Sequence, residues 1–252
     1  MLFIGFTKSI ARLIKWLLPD KASAGRTVPL LDDYYLQHAG LALDMVEKSL
    51  KEMGRDLLSV GRQSIPIAIR GEKEQLESLR EKDEKLDAWH ERILSYISQI
   101  QQLELSDTEM ERIHRLTEIA NIMENAGDLY TTSIVEAAEH RLDKRFSVSE
   151  ETQKMLIDLY EDANHIVEKA IRAFQYKQKE EAIAVLENKE VFSTQHAKVH
   201  RHVYSRLAES GDNRISIIRF EVELLEVARR LHSLARRISR RAISQIEKGS
   251  KK

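Results

Sequence analysis

The stretch LTEIANIMENAGDLYTTSIVE, residues 116–136, shows the pattern that decides the fold. Its small and apolar residues recur at alternating intervals of three and four, which places them on one face of an α-helix. They are Leu116, Ala120, Met123, Gly127, Tyr130 and Ile134. Two carboxylates, Glu124 and Asp128, lie four positions apart beside this face. Like charges at that spacing repel, and a glycine inside a helix costs about 1 kcal/mol relative to alanine. The helix therefore carries two unfavourable features that need an explanation.

Two similar seams precede this helix. The first consists of Leu36, Ala39, Leu43, Val46, Leu50, Met53, Leu57 and Val60. The second consists of Leu76, Leu79, Asp83, Leu86, His90, Ile93, Ile97 and Ile100. Two of its residues, Asp83 and His90, are polar, whereas the others are apolar. Pro66 is expected to bend or end the first helix, and Gly71 lies in the region that follows. Ser106 or Asp107 is the predicted N-cap of the third helix. Three helices with short connections predict an antiparallel three-helix bundle over residues 34–142.

The same plan repeats in the second half of the chain. SVSEETQ, residues 147–153, carries helix-capping residues and opens an amphipathic helix. A second helix is predicted over about residues 180–208 and a third over about 214–247. The predicted fold class is therefore all-α, with two tandem antiparallel three-helix bundles, the second over residues 147–248.

Composition excludes several kinds of function. The 40 basic and 41 acidic residues nearly cancel, so no overall positive charge indicates nucleic-acid binding. The absence of cysteine excludes disulfides, thiolate catalysis and cysteine-ligated metal sites. No glycine-rich phosphate loop or nucleophile elbow stands out from the rest of the sequence.

The first eighteen residues, MLFIGFTKSIARLIKWLL, are strongly apolar but too short and too charged to span a bilayer alone, which takes about 20 apolar residues. Lys8, Arg12 and Lys15 share one helical face, and Trp16 has the amphipathic side chain typical of a membrane interface. The pattern predicts an interfacial helix or the end of a membrane span. A helix packed on the protein and a secretory signal are the alternatives. Residues 19–33 contain two prolines and a glycine and are predicted to form a linker.

Acidic pairs on two neighbouring helices form the candidate metal site. Asp83 and Asp87 lie one turn apart on the second predicted helix, as Glu124 and Asp128 do on the third. If these helices pack side by side, with Gly127 and Ala120 allowing close approach, the four carboxylates converge. Such oxygen-rich clusters suit Mg²⁺, Mn²⁺ or iron, and a cation removes the like-charge repulsion. The alternative is a solvated acidic surface with Lys82 and Lys85 as partners. His196, His200 and His202 form a weaker metal candidate.

The last predicted helix carries a stripe of arginines opposite its apolar face. They are Arg229, Arg230, Arg236, Arg237, Arg240 and Arg241. Such a stripe suits an anionic lipid, a phosphate group or an acidic partner helix. Arg230 stands where the first repeat has Asp128, so we expect the second repeat to lack a cation site. The alternative is a solvated face paired with Glu221 and Glu223.

The stretch 116–136 resembles the signature helix of PhoU-like phosphate-transport regulators, in which an acidic residue precedes Gly-Asp. LREKDEKLDAWHERILSYI, residues 79–97, resembles the acidic helix that accompanies it. The resemblance implies two tandem three-helix bundles, metal clusters at these motifs and dimerisation. Carried over by position, it implies metal ligands at Asp83, Asp87, Glu124 and Asp128, with Mg, Mn, Fe or Zn as the metal. VELLEVARRLHSLA, in the second repeat, lacks the Gly-Asp pair.

The N-terminus extends the resemblance. A membrane segment, a basic boundary and a proline-containing linker before such a domain look like the C-terminal half of bacterial sodium/phosphate cotransporter proteins. This resemblance implies a non-enzymatic cytoplasmic regulator at the inner face of the plasma membrane. Its partner is a membrane phosphate transporter or a transmembrane part of its own. A metal-dependent hydrolase is an alternative, although no residue stands out as its general base. A helical adaptor that uses the arginine stripe without metal is another.

Overall fold

The computed structural model describes residues 31–208 and 213–249, so the predicted interfacial helix and almost all of the predicted linker lie outside the described residues. A short 3₁₀ turn, Asp33–Gln37, leads into the first half. The helices of this half are α1 (Ala39–Arg70), α2 (Lys73–Ile100), α3 (Asp107–Asp128) and α4 (Ile134–Lys144). A π-helical turn, Leu129–Ser133, joins α3 to α4.

The second half follows after a short connection. Its helices are α5 (Glu150–Tyr176), α6 (Lys179–Glu187), α7 (Lys189–Ser205) and α8 (Arg214–Gly249), with a 3₁₀ turn at Arg206–Ala208. Every regular element within residues 31–208 and 213–249 is helical, which confirms the predicted all-α class. In the same part of the chain, no helix combines the length and apolarity needed to cross a bilayer.

Local sequence explains where several helices begin and end. Ser106 caps α3, because its Oγ accepts from the backbone N–H of Glu109 and its own backbone N–H donates to the Glu109 carboxylate. The Oγ of Ser149 caps α5 in a similar way. Arg145 and Lys177, at φ of 52° and 55°, end α4 and α5 in the left-handed conformation.

Two helices differ from the predicted continuous segments. The second helix of the second half is divided into α6 and α7 at Asn188, a residue of low helix propensity. The third helix of the first half continues beyond Asp128 only through the π turn, which inserts an extra residue into the helical repeat. Helical periodicity does not reveal such an insertion, because the apolar seam continues on both sides of it.

The two halves share one core. Tyr130, fully buried after α3, donates from its hydroxyl to Asn164 Oδ1 of α5 at 2.7 Å. Asn164 Nδ2 in turn donates to the backbone carbonyl of Gly61 in α1 at 2.8 Å. The rings of Tyr130 and Tyr160 meet edge to face with centroids 6.2 Å apart. Partly buried hydrogen bonds therefore join α1, α5 and the π turn.

A buried arginine joins α4 to the end of α1. Arg141 donates from Nε to the carbonyl of Ala68 at 2.9 Å and from Nη2 to the carbonyl of Gly71. These carbonyls lie at the C-terminus of α1, where the last turn has no helical donors left. Burial lowers the pKa of Arg141, while the negative end of the helix dipole favours its charge.

A candidate cation site between α2 and α3

Gly127 brings α2 and α3 close together. A Cβ atom at this position would lie 3.0 Å from Leu86 Cδ1 of α2, closer than carbon atoms normally pack. A larger residue here would require the Leu86 side chain to shift. The predicted role of Gly127 in close helix approach is therefore confirmed, and this packing explains why the helix tolerates a glycine there.

Three of the four predicted carboxylates lie together at this contact. Asp83 and Asp87 of α2 and Asp128 at the end of α3 each contribute an oxygen, and these oxygens lie within 4.8 Å of one another. All three side chains are partly buried. Glu124, one turn before Asp128, is also partly buried but lies outside this group.

The donor set fits a hard divalent cation. Carboxylate oxygens bind Mg²⁺ at about 2.0–2.1 Å and Ca²⁺ at about 2.3–2.6 Å, so two ligands on opposite sides of one ion lie about 4–5 Å apart. The spread of up to 4.8 Å among the three oxygens falls in that range.

The π turn supplies two hydroxyl groups to Asp83. Thr131 Oγ1 donates to Asp83 Oδ1 at 2.6 Å, and Thr132 Oγ1 lies 3.4 Å from Asp83 Oδ2. Thr131 Oγ1 is also 2.9 Å from the carbonyl of Gly127, so its one hydrogen is shared. Sequence reasoning missed both threonines, although a threonine pair three and four residues after Asp128 in the predicted helix was a signal for them.

The two lysines predicted as partners of a solvated acidic surface contact α1. Lys82 Nζ donates to the side-chain carbonyl of Gln63. Lys85 Nζ lies 2.9 Å from Asp56 Oδ1, and Trp89 Nε1 donates to the other oxygen of the same carboxylate. These contacts direct both ammonium groups to the side of α2 that faces α1.

The histidine candidates have separate roles. His90 hydrogen-bonds through Nε2 to Asn121 Oδ1 at 2.8 Å, which links α2 to α3 one turn beyond Asp87. His196 contacts the carbonyl of Leu225, and His202 contacts Thr152 Oγ1. His200 stacks on Tyr204 with centroids 4.3 Å apart. The rings of His196 and His200 also stack, with centroids 6.3 Å apart.

The arginine stripe on α8 is partly paired. Arg229 makes a bidentate pair with Glu226 at 2.6 and 2.9 Å, and Arg241 Nε lies 2.7 Å from Glu118 of α3. Arg230, Arg237 and Arg240 are exposed, whereas Arg236 is partly buried. The ion pairs differ from the predicted ones, because Glu223 pairs with Arg219 at 3.0 Å.

Glu221 faces the interior. It is fully buried, and its Oε1 accepts from Arg206 Nη1 at 3.0 Å. Arg206 Nη1 also donates to Thr152 Oγ1 at 2.6 Å, which ties the start of α5 to the start of α8. Burial raises the pKa of Glu221, although Arg206 and Arg214 oppose the effect. No local sequence signal pointed to this network, because its members are up to 69 residues apart, as with Thr152 and Glu221.

Comparison with known proteins identifies similar structures but no sequence relatives. No protein-family model matches the chain, and no curated protein matches it. The structure of PhoU from Pseudomonas aeruginosa aligns with a TM-score of 0.76 and 16% identity, over 83% of this chain and 99% of that one. The phosphate transport system regulatory protein PhoU from Streptococcus pneumoniae aligns with a TM-score of 0.71 and 16% identity, over 84% of this chain and 98% of that one. At such identities, the likeness establishes a PhoU-like fold.

Proposed function

We propose that this chain is a PhoU-like regulator of phosphate transport that holds a divalent cation in its first half. The observation that carries the proposal is the position of Asp83, Asp87 and Asp128 at the contact of α2 and α3, within a fold shared along almost the whole length of PhoU. The role is regulatory and not enzymatic. The name of the Streptococcus pneumoniae protein as a phosphate transport system regulatory protein supports that role.

The three aspartates are the proposed ligands, and Glu124 is a fourth carboxylate within one turn of them. A bound Mg²⁺, Mn²⁺, iron or Zn²⁺ ion would neutralise this charge and join α2 to α3. Thr131 orients Asp83 from the π turn through a hydrogen bond of 2.6 Å. The close packing at Gly127 keeps the two helices at the separation that this arrangement requires.

The finer part of the proposal concerns location and partners. The basic, apolar segment at residues 1–18 supports attachment at the inner face of the plasma membrane. The partner is a membrane phosphate transporter, either a separate protein or a sodium/phosphate cotransporter segment of the same polypeptide. A homodimer is part of the proposal through the resemblance to PhoU-like proteins.

Cation binding is tested by elemental mass spectrometry and by calorimetric titration with Mn²⁺. Wild-type protein is expected to bind stoichiometric metal, and the Asp87→Asn/Asp128→Asn double variant is expected to lose it. Asp162→Asn, which removes an exposed carboxylate from α5, is the matched control and should bind like the wild type. Equal binding by all three proteins, or none by the wild type, would refute the cation site.

Regulation is tested separately by phosphate uptake in bacterial cells that lack their own PhoU-type regulator. Expression of the chain is expected to change the uptake rate of labelled phosphate, and the Asp87→Asn/Asp128→Asn variant should change it less. Removal of residues 1–18 should reduce the membrane-bound fraction of the protein. An unchanged uptake rate with confirmed expression would contradict the transport role, even if the metal measurements succeed.

A helical adaptor that uses α8 without metal is the second candidate function. Arg237 and Arg240 favour it, because both are exposed and make no hydrogen bond or ion pair with any residue of 31–208 or 213–249. An acidic helical peptide is expected to bind this face, and Arg237→Glu/Arg240→Glu should abolish the binding. Peptide binding together with absence of metal would favour the adaptor over the cation-binding regulator.

A further inference from the structure

A cleft of about 450 Å³ lies between α4 and α8, directly after the π turn. Such a volume lies in the range typical of small-molecule sites, about 300–1,000 Å³. The cleft is lined by Ser133, Glu136, His140, Arg219, Val222, Glu223, Glu226, Val227 and Arg230. The proposed cation site does not account for this concave surface, and Arg230 is the member of the arginine stripe that lines it.

Two of the glutamates that line the cleft form ion pairs with arginines of α8. Glu223 accepts from Arg219 Nε at 3.0 Å. Glu226 forms the bidentate pair with Arg229, which lowers the pKa of its carboxyl group and keeps it ionised. Each of these carboxylates is neutralised by a neighbour one turn along α8. Besides Glu136 and His140 on α4, the lining has one further ionisable side chain, and it is a cation.

That cation is Arg230. Its guanidinium is exposed and makes no hydrogen bond or ion pair within 4 Å to any residue that the structure describes. It acts on Glu226 through the longer-range electrostatic field. A guanidinium presents five donors in a planar fork, which matches the two oxygens of a carboxylate or phosphate group.

The rest of the cleft is suited to a small polar molecule. Val227, which is buried, and Val222, which is partly buried, supply apolar surface. Ser133 adds a hydroxyl from the π turn, and π turns inside helices frequently occur at functional sites. Glu136 lines the α4 side of the cleft with an exposed side chain.

We infer that the cleft between α4 and α8 is a binding site for a small oxyanion, whose carboxylate or phosphate group is held by Arg230. The site is separate from the aspartate cluster between α2 and α3 and needs no metal ion. Its ligand contacts one end of the π turn through Ser133, whereas Thr131 and Thr132 of the same turn contact Asp83.

The test is a titration of the full chain with inorganic phosphate and, separately, with succinate, at low ionic strength. Binding is followed by amide chemical shifts in ¹⁵N-labelled protein. Saturable shifts are expected at Ser133, Glu136 and Val227 in the wild type. Arg230→Gln should weaken binding at least tenfold, and Arg230→Lys should weaken it less. Arg201→Gln, which changes an exposed arginine of α7 outside the cleft, is the matched control and should bind like the wild type.

Saturation by either anion at these amides supports the site, and the anion that binds more tightly identifies phosphate or carboxylate chemistry. Shifts spread over all exposed arginines, equal weakening in the Arg230 and Arg201 variants, or no saturable shift would overturn it. Thermal unfolding of each variant is measured first, so that loss of folding is not mistaken for loss of binding. The metal content of the same samples is measured separately and does not depend on anion binding. Absence of anion binding would therefore refute this site without refuting the proposed cation-binding function.

Discussion

A histidine buried between α7 and α8 is predicted to make the protein sensitive to acid. His232 is only 6% exposed, and its ring lies parallel to that of Phe192, with centroids 4.2 Å apart and an angle of 3°. Its Nε2 is buried and has no hydrogen-bond partner among the described residues. Burial, together with the charge of Arg236, lowers the pKa of His232 from 6.5 to about 4.

The sign and size of the effect follow from linkage between protonation and folding. The unfolded chain takes up a proton near pH 6.5, whereas the folded protein resists it until about pH 4. This stability contribution is therefore fully present above pH 6.5 and is lost as the pH falls towards 4. Each pKa unit is worth about 1.36 kcal/mol, so the total loss at this one residue is about 3 kcal/mol.

His232→Phe removes the titrating group and keeps an aromatic ring that can stack on Phe192. Urea unfolding of both proteins at pH 7.0, 5.5 and 4.5 gives their free energies of unfolding. The difference between variant and wild type is expected to grow in favour of the variant by about 2–3 kcal/mol between pH 7.0 and pH 4.5. Ser233→Ala, which changes an exposed neighbour and keeps His232, should show no such growth. A pH-independent difference for His232→Phe would refute the reasoning.

Three further predictions concern packing and buried charge. Gly61→Ala places a Cβ 2.7 Å from Cζ of Tyr130, whose ring is buried and held by Asn164, so overpacking should reduce the free energy of unfolding by about 1–3 kcal/mol. Urea denaturation at pH 7 measures it, and a more stable variant would show that Tyr130 can move. Arg141→Met leaves the carbonyls of Ala68 and Gly71 without their donor, and a loss of about 1–3 kcal/mol is expected for each buried group left unsatisfied. Hydrogen exchange should show faster opening of the last turn of α1, and unchanged exchange there would argue against the cap. Because burial raises the folded-state pKa of Glu221, its stability contribution is present below the unfolded value of about 4.5 and is lost as the pH rises through the folded value. Wild type should therefore lose stability relative to Glu221→Gln as the pH rises above about 4.5, and the opposite slope in a urea series would contradict the buried position.

Much of the helical architecture could be predicted from local patterns. The seams at heptad spacing correctly predicted an all-α chain, and the capping pattern at Ser106 correctly located the start of α3. Gly127 correctly indicated a close helix contact. These features depend on residues within about one or two turns of each other, where the geometry of a helix fixes which side chains share a face.

The candidate sites were less accessible to sequence reasoning. The acidic pairs were visible as pairs, but only the packing of α2 against α3 brings Asp83 and Asp87 to Asp128 and leaves Glu124 outside the group. The cleft around Arg230 was not predicted, because it requires α4 and α8, which are 70 residues apart at their nearest ends, to lie beside each other. Local periodicity contains no information about such distant pairing.

The sequence by itself therefore determined the helices, their buried faces and the residues able to carry chemistry. Tertiary structure alone decided the π turn that directs Thr131 towards Asp83, the capping of α1 by Arg141 and the burial of Glu221 and His232. The physical reason is the distance along the sequence over which the deciding interactions act. A helix is selected by interactions over three or four residues, whereas the environment of a side chain is set by whichever distant helix packs against it.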